Sequence, residues 1–173
     1  MNAAIRVAAI VFVAALLQVT LLNSLVVFGG TADLLLVSLV AVSLLRGSTT
    51  GAIAGFAGGL LVDVATLDTL GVNALLLAVA GFWAGRYGET TGRDRGHAPL
   101  LAVGVITVLV AVAGYLLHFM LGDDVSARAA LVTVLLPAVV LNVVLAAPVF
   151  AACRAVLRPV EPPQRAQEVE LFV

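Results

Sequence analysis

The sequence predicts an all-α integral membrane protein, a bundle of about six transmembrane helices. Three observations carry this. Of 173 residues, 62% are hydrophobic and only 11% are charged, against roughly 25% charged in a soluble domain. The mean hydropathy is +1.18. Apolar runs recur along the chain, and a transmembrane helix needs about 20 mostly apolar residues. After loops, the length accommodates roughly six such runs and no sizeable soluble domain.

The first run, residues 5–28, is too long for a secretory h-region of about 7–15 residues, and no clear small-residue cleavage site follows it. It reads as a retained first span. Gln18, Thr20, Asn23 and Ser24 give its second half a polar side. That side should face other helices, because polar groups in lipid find no partner. Gly29-Gly30 makes a turn. The second span, 32–45, is short: at about 1.5 Å per residue it reaches about 21 Å. Crossing then requires local thinning or burial among neighbours. Asp33 stands at its start, where a carboxylate can cap free amides, and Arg46 closes it. The turn Gly47-Ser48-Thr49-Thr50 offers hydroxyl caps to the third span, 51–65.

The stretch Arg46–Gly88 reads as the packing centre. Gly47, Gly51, Gly55, Gly59 and Asp63 stand four apart, so on a helix they lie one above another. Glycines on one face let a second helix approach closely in lipid. The fourth span, 71–87, carries Asn73 in its first turn and a matching small pair, Gly81 and Gly85. Trp83 and Tyr87 suit a membrane interface. A polar loop, 88–99, precedes the fifth span, 100–121. The sixth, 130–157, contains Pro137, Asn142 and Pro148. Asn142 suits an interhelical hydrogen bond, and Pro148 suits a bend. Residues 1–158 thus form one polytopic domain. The proline-rich, charged tail 159–173 reads as disordered and cytoplasmic.

Charge distribution gives orientation. With six alternating spans and a cytoplasmic N-terminus, Arg6, Arg46, Arg86, Arg93, Arg95, Arg154, Arg158 and Arg165 fall inside, and only Arg128 falls outside. Asp33, Asp63, Asp68, Asp123 and Asp124 fall at external ends. This satisfies the positive-inside rule with both termini in the cytoplasm. A re-entrant pair at spans two and three would instead put Arg46 outside. The Arg93/Arg95 loop and Arg154/Arg158 should meet anionic headgroups.

Chemistry-bearing patterns are sparse. Net charge is −1, so no global signal for nucleic acid exists. The single cysteine, Cys153, can form neither an internal disulfide nor a thiolate metal site. Neither a G-x-S-x-G elbow nor a Walker A loop occurs, and no cofactor or metal is implied. Asp123-Asp124 makes a poor calcium cage. Two readings stand for Asp63. It contacts an ion, ligand or partner helix, or it accepts from backbone amides opening the fourth span near Gly71–Asn73. The glycine ladder likewise reads as internal packing or as a docking face. His118, near the outer end of the fifth span, reads as a structural hydrogen-bonding residue. An intramembrane enzyme would need more than the pair Asp33 and Asp63.

The order of motifs resembles the MreD family of bacterial rod shape-determining membrane proteins. The resemblance rests on Ala32-Asp33-Leu34-Leu35-Leu36, Leu45-Arg46-Gly47, Gly51, Gly55-Phe56, Gly59-Leu60-Leu61, Asp63, Leu70-Gly71, Asn73-Ala74-Leu75, Gly81 and Gly85. In span six it rests on Leu141-Asn142, Pro148-Val149-Phe150 and Arg154. Many members have proline where this chain has Ala32. The resemblance implies a fold similar to the substrate-binding subunits of energy-coupling-factor transporters. It also implies a non-enzymatic scaffold in the bacterial cytoplasmic membrane. Such proteins work with an MreC-like membrane protein and, indirectly, with MreB, RodA and a class B penicillin-binding protein. No catalytic residues carry over. The alternative is a small-molecule-binding transport subunit. That reading needs an outward pocket converging on Asp63, Asn73, Asn23 and His118.

Overall fold

The structure, a computed structural model, describes residues 3–20, 26–27, 30–67, 69–91, 98–120 and 135–157. It is a bundle of six helices: α1 (Ala3–Thr20), α2 (Leu34–Arg46), α3 (Ser48–Thr66), α4 (Val72–Thr91), α5 (Ala98–Met120) and α6 (Leu135–Leu157). A two-residue pair of strands, β1 (Val26–Val27) and β2 (Gly30–Thr31), lies between α1 and α2. The expected tail 159–173, Asn23, Asp68, the Arg93/Arg95 loop, Asp123, Asp124, Arg128 and the side chain of His118 lie outside the described residues.

Helix α2 is the most buried helix, and it stands beside the glycine stretch, whose α3 and α4 form the most extensive helix pair. Ten consecutive residues, Leu35 to Leu44, are buried, and α2 packs against all five other helices. A helix apolar all round has no face for water and is placed inside. Every apolar run of a membrane protein shares that property, so composition does not single α2 out. Its length does. Thirteen residues span about 20 Å, short of a hydrocarbon core of about 30 Å. Such a helix is accommodated where other helices, not lipid, surround its ends.

Those ends can be placed. The C-terminal Arg46 donates to the carbonyl of Leu157, the last residue of α6 (3.0 Å). The amide of Asp33, just before α2, donates to Asn142 Oδ1 (2.8 Å). Asn142 is seven residues into α6, about 10 Å from its start. Thus α2 begins well inside the bundle. The residues just before it, 30–33, are non-helical, and β1 pairs antiparallel with β2, which packs against α6.

This changes the first span. Helix α1 ends at Thr20, not at residue 28. The β-branched pair Val26-Val27, a type that favours strands, pairs with Gly30-Thr31. The connection between α2 and α3 is also tighter than the expected four-residue turn. Gly47 alone makes it, at φ +95°, a backbone that glycine adopts without steric cost. Helix α4 runs four residues past the expected end at 87.

Four helices are long and apolar enough to cross a membrane: α1, α3, α5 and α6. Helix α2 is short, and the 20 residues of α4 include Asn73, Arg86 and Glu89. Helices α2 and α4 both run antiparallel to α3, with Gly51 between Ser43 and Gly81. Pro137 falls in the first turn of α6, where its missing amide has no helical partner to lose. Helix α6 continues through Pro148.

If α2 is the hub, Leu39→Ala, at a fully buried position, should lower unfolding free energy in detergent by about 2–5 kcal/mol. Ile53→Ala, on the lipid-facing side of α3, should change it by less than about 0.5 kcal/mol. Equal effects would remove α2 from the centre.

Candidate functional site: a glycine seam and its polar caps

The glycine ladder of α3 lies against α4 of the same chain. A β-carbon added at Gly51 would collide with the Gly81 carbonyl, and one at Gly55 with the Leu77 carbonyl. One at Gly59 would come within 2.5 Å of Ala74 Cα. From the other side, a β-carbon at Gly81 would strike the Gly51 carbonyl, and one at Gly85 would strike Ser48. Each four-residue step along α3 thus meets a four-residue step back along α4. No side chain separates the two backbones along this seam. Gly47 is not a rung of it, standing at the turn beside Glu89. Gly58 and Gly88, outside the ladder's spacing, make somewhat looser approaches, to the Val11 side chain and to the Leu44 backbone.

Each end of the seam is closed by a carboxylate on a helix N-terminus. At one end, Asp63 is fully buried. It accepts from the amides of Gly71 (2.8 Å), Asn73 (3.3 Å) and Ala74 (3.3 Å). These are the open donors of the first turn of α4, and the helix dipole favours a negative group there. Gly71 reaches its place with φ +96°. Asp63 and Asn73 are therefore brought together through the backbone of Asn73. At the other end, Glu89 of α4 accepts from the Ser48 amide (2.8 Å) and hydroxyl (3.0 Å) at the start of α3. Arg86 lies 3.4 Å away. The bonds from Ser48, helped by Arg86, hold the Glu89 carboxyl below its usual range.

A second polar cluster serves α2. Asp33 caps it by accepting from the Leu36 amide (2.9 Å). Gln18 donates to the Ala32 carbonyl (3.2 Å) and accepts from the Leu34 amide (2.8 Å). Asn142 accepts from Asp33 and donates to Thr107 Oγ1 (3.2 Å). Asn142 therefore belongs to this cluster and not to that of Asp63. Pro148 lies exposed on α6, away from both clusters.

Glu89 and Thr107 were not among the residues singled out from sequence. Glu89 left a signal: it is an acid at the arginine-rich ends, against the local charge bias. Thr107 left none, since threonine in an apolar helix commonly bonds its own backbone. Among the described residues, no group of three His, Cys, Asp or Glu side chains could hold a metal. No buried side-chain polar atom among them lacks a hydrogen bond.

Two outcomes follow from this geometry. Gly55→Leu should cost about 3 kcal/mol or more, because the clashing atom is backbone and cannot rotate away. Asp63→Ala should cost at least about 2 kcal/mol through unsatisfied buried amides, with Asp63→Asn recovering part. Both are read as loss of monodisperse protein and lowered Tm in detergent. Glu89 gives a pH signature. Its depressed folded pKa means its stabilisation is present above the usual carboxylate value. That stabilisation is lost as pH falls through the lower folded value. The Tm gap between the native protein and Glu89→Gln should therefore be widest near neutrality and close at acid pH.

The chain matches the family model described as "MreD: rod shape-determining protein MreD" over residues 2–160. No curated protein and no solved structure gives a significant match. The six-helix bundle, its glycine seam and this match over nearly the whole chain agree: the chain belongs to the MreD family of rod shape-determining membrane proteins.

Proposed function

We propose that the protein is a non-catalytic scaffold subunit that helps assemble the peptidoglycan elongation machinery in the bacterial cytoplasmic membrane. The family match over residues 2–160 carries this reading. Its direct partner is an MreC-like membrane protein, with MreB, RodA and a class B penicillin-binding protein reached through it.

All six helices of residues 1–158 cross the membrane, both termini are cytoplasmic, and the tail 159–173 follows on that side. Charge supports this orientation. Arg6, Arg46, Arg86 and Arg154 lie at one end of the bundle, and Asp33 and Asp63 lie towards the other, which suits the positive-inside rule.

The interior supports scaffolding by having its polar groups already committed. Asp63, Gln18 and Asn142 are spent on the chain's own backbone or on Thr107. On this reading Gly51, Gly55, Gly59, Gly81 and Gly85 serve internal packing, with Gly47 making the turn. Partners then meet the lipid-facing helix sides and the bundle ends. Phe56, Leu60 and Val64 of α3 and Leu75, Val79 and Trp83 of α4 expose apolar surface there.

The test is affinity purification of the tagged, full-length protein from mild-detergent extracts of native membranes, with depletion of the chromosomal copy in parallel. An MreC-like protein should co-purify, and depleted cells should lose rod shape until the gene is restored. Recovery of transporter ATPase subunits, or of a stoichiometric small molecule with no cell-wall protein, would instead establish a transport role.

A further inference from the structure

Two arginines converge on the C-terminal end of α6. Arg6 of α1 donates to the Val156 carbonyl (3.1 Å), and Arg46 of α2 donates to the Leu157 carbonyl (3.0 Å). The acceptors are consecutive, so both guanidiniums stand at the same end of α6. Each uses one nitrogen on α6, although a guanidinium carries five N–H donors. Neither has a carboxylate partner among the described residues, where the ion pair is Arg86–Glu89. The negative end of the α6 dipole offsets part of one charge, about half an elementary charge. Two like charges at one helix end still favour an anion.

From Arg6 a groove of about 370 Å³ runs between α1 and α6, reaching Val156, whose carbonyl neighbours the one that holds Arg46. Ile10, Val13 and Leu17 form one wall, Val149 and Ala152 the other, and Ser38 of α2 lies at the floor. Arg6 closes its charged end. From Arg6 to Leu17 the groove follows eleven residues of α1, about 16 Å. That is half of a hydrocarbon core of about 30 Å, the depth of one leaflet. The surface thus joins a cationic rim at headgroup depth to an apolar channel one acyl chain deep.

We propose that this groove is a binding site for an anionic glycerophospholipid, with its phosphate held by Arg6 and Arg46 and one acyl chain lying between α1 and α6. Bidentate arginine geometry suits a phosphate, and basic sites between transmembrane helices suit anionic headgroups. The site is independent of the scaffold role and stands or falls without it.

The test uses the full-length protein, purified in detergent, delipidated and titrated with phosphatidylglycerol or phosphatidylethanolamine of matched chains. Native mass spectrometry counts the bound lipid. The native protein should retain phosphatidylglycerol in preference to phosphatidylethanolamine. Arg6→Gln with Arg46→Gln should reduce that preference about thirty-fold, about fivefold for each arginine near a membrane surface. The α6 terminus also relies on these arginines, so a second variant leaves them intact. Ala9→Leu with Ala152→Leu fills the groove from two exposed positions. It should cut retention of phosphatidylglycerol while leaving Tm in lipid-free detergent unchanged. Glycerol phosphate should not displace the bound lipid. Absence of a headgroup preference, retention of it in the arginine variant, or undiminished binding in the filled groove would each overturn the proposal. So would occupation of the groove by a co-purifying partner helix, mapped by cross-linking from Ala152→Cys in a Cys153→Ala background.

Discussion

Helix ends set the terms of this structure. An α-helix leaves four amides and four carbonyls unpaired at its termini, and hydrocarbon offers them no water. Here the start of α4 and the approach to α2 lie among other helices, and the start of α3 and the end of α6 lie at the arginine-bearing end of the bundle. Each is met by a side chain from another part of the chain. Asp63 meets the start of α4, Glu89 the start of α3, and Gln18 with Asn142 the approach to α2. Arg6 and Arg46 meet the end of α6. The charged and amide side chains so used are joints between helices.

The glycine seam depends on the same joints. Glycine weakens a helix by about 1 kcal/mol relative to alanine in water, and the gain here is close approach of α3 and α4. That gain requires register. A slip of one residue would bring a side chain from either helix onto the opposing backbone. Asp63 and Glu89 pin the seam at opposite ends, each reading backbone amides at one height only. Packing and capping therefore specify one arrangement together, as consistent local and global choices should.

The same arrangement directs function outward. With the polar interior committed to backbone, what the molecule offers other proteins and lipids is its outer surface. Exposed apolar side chains on α1, α3, α4 and α5 suit lipid and, in an assembly, other transmembrane helices. Helix association in membranes draws on packing and on small residues. The rod shape-determining family to which the chain belongs accords with the scaffold role proposed above.

The sequence by itself determined the class of fold. Apolar runs long enough for lipid, too few charges for water and arginines on alternating connections suffice for a multi-pass helical bundle. It also determined the local devices whose spacing is their mechanism. The four-residue glycine steps form one helix face wherever that helix lies, and Asp33 before Leu34 caps whatever helix follows. The amides near Gly71 were legible as acceptorless donors within reach of Asp63. Only tertiary structure decided which helix is central. Apolar periodicity says nothing when every helix face is apolar, so the shortness of α2 hinted at burial but its place among five helices was not legible. It also decided that α1 stops at Thr20, since the hydropathy of Val26-Val27 fits a helix in lipid and a strand against α6 equally well. Glu89 on Ser48 and Asn142 on Asp33 join residues 41 and 109 positions apart. No local pattern encodes such pairs, because their partner is a backbone amide that every residue but proline carries.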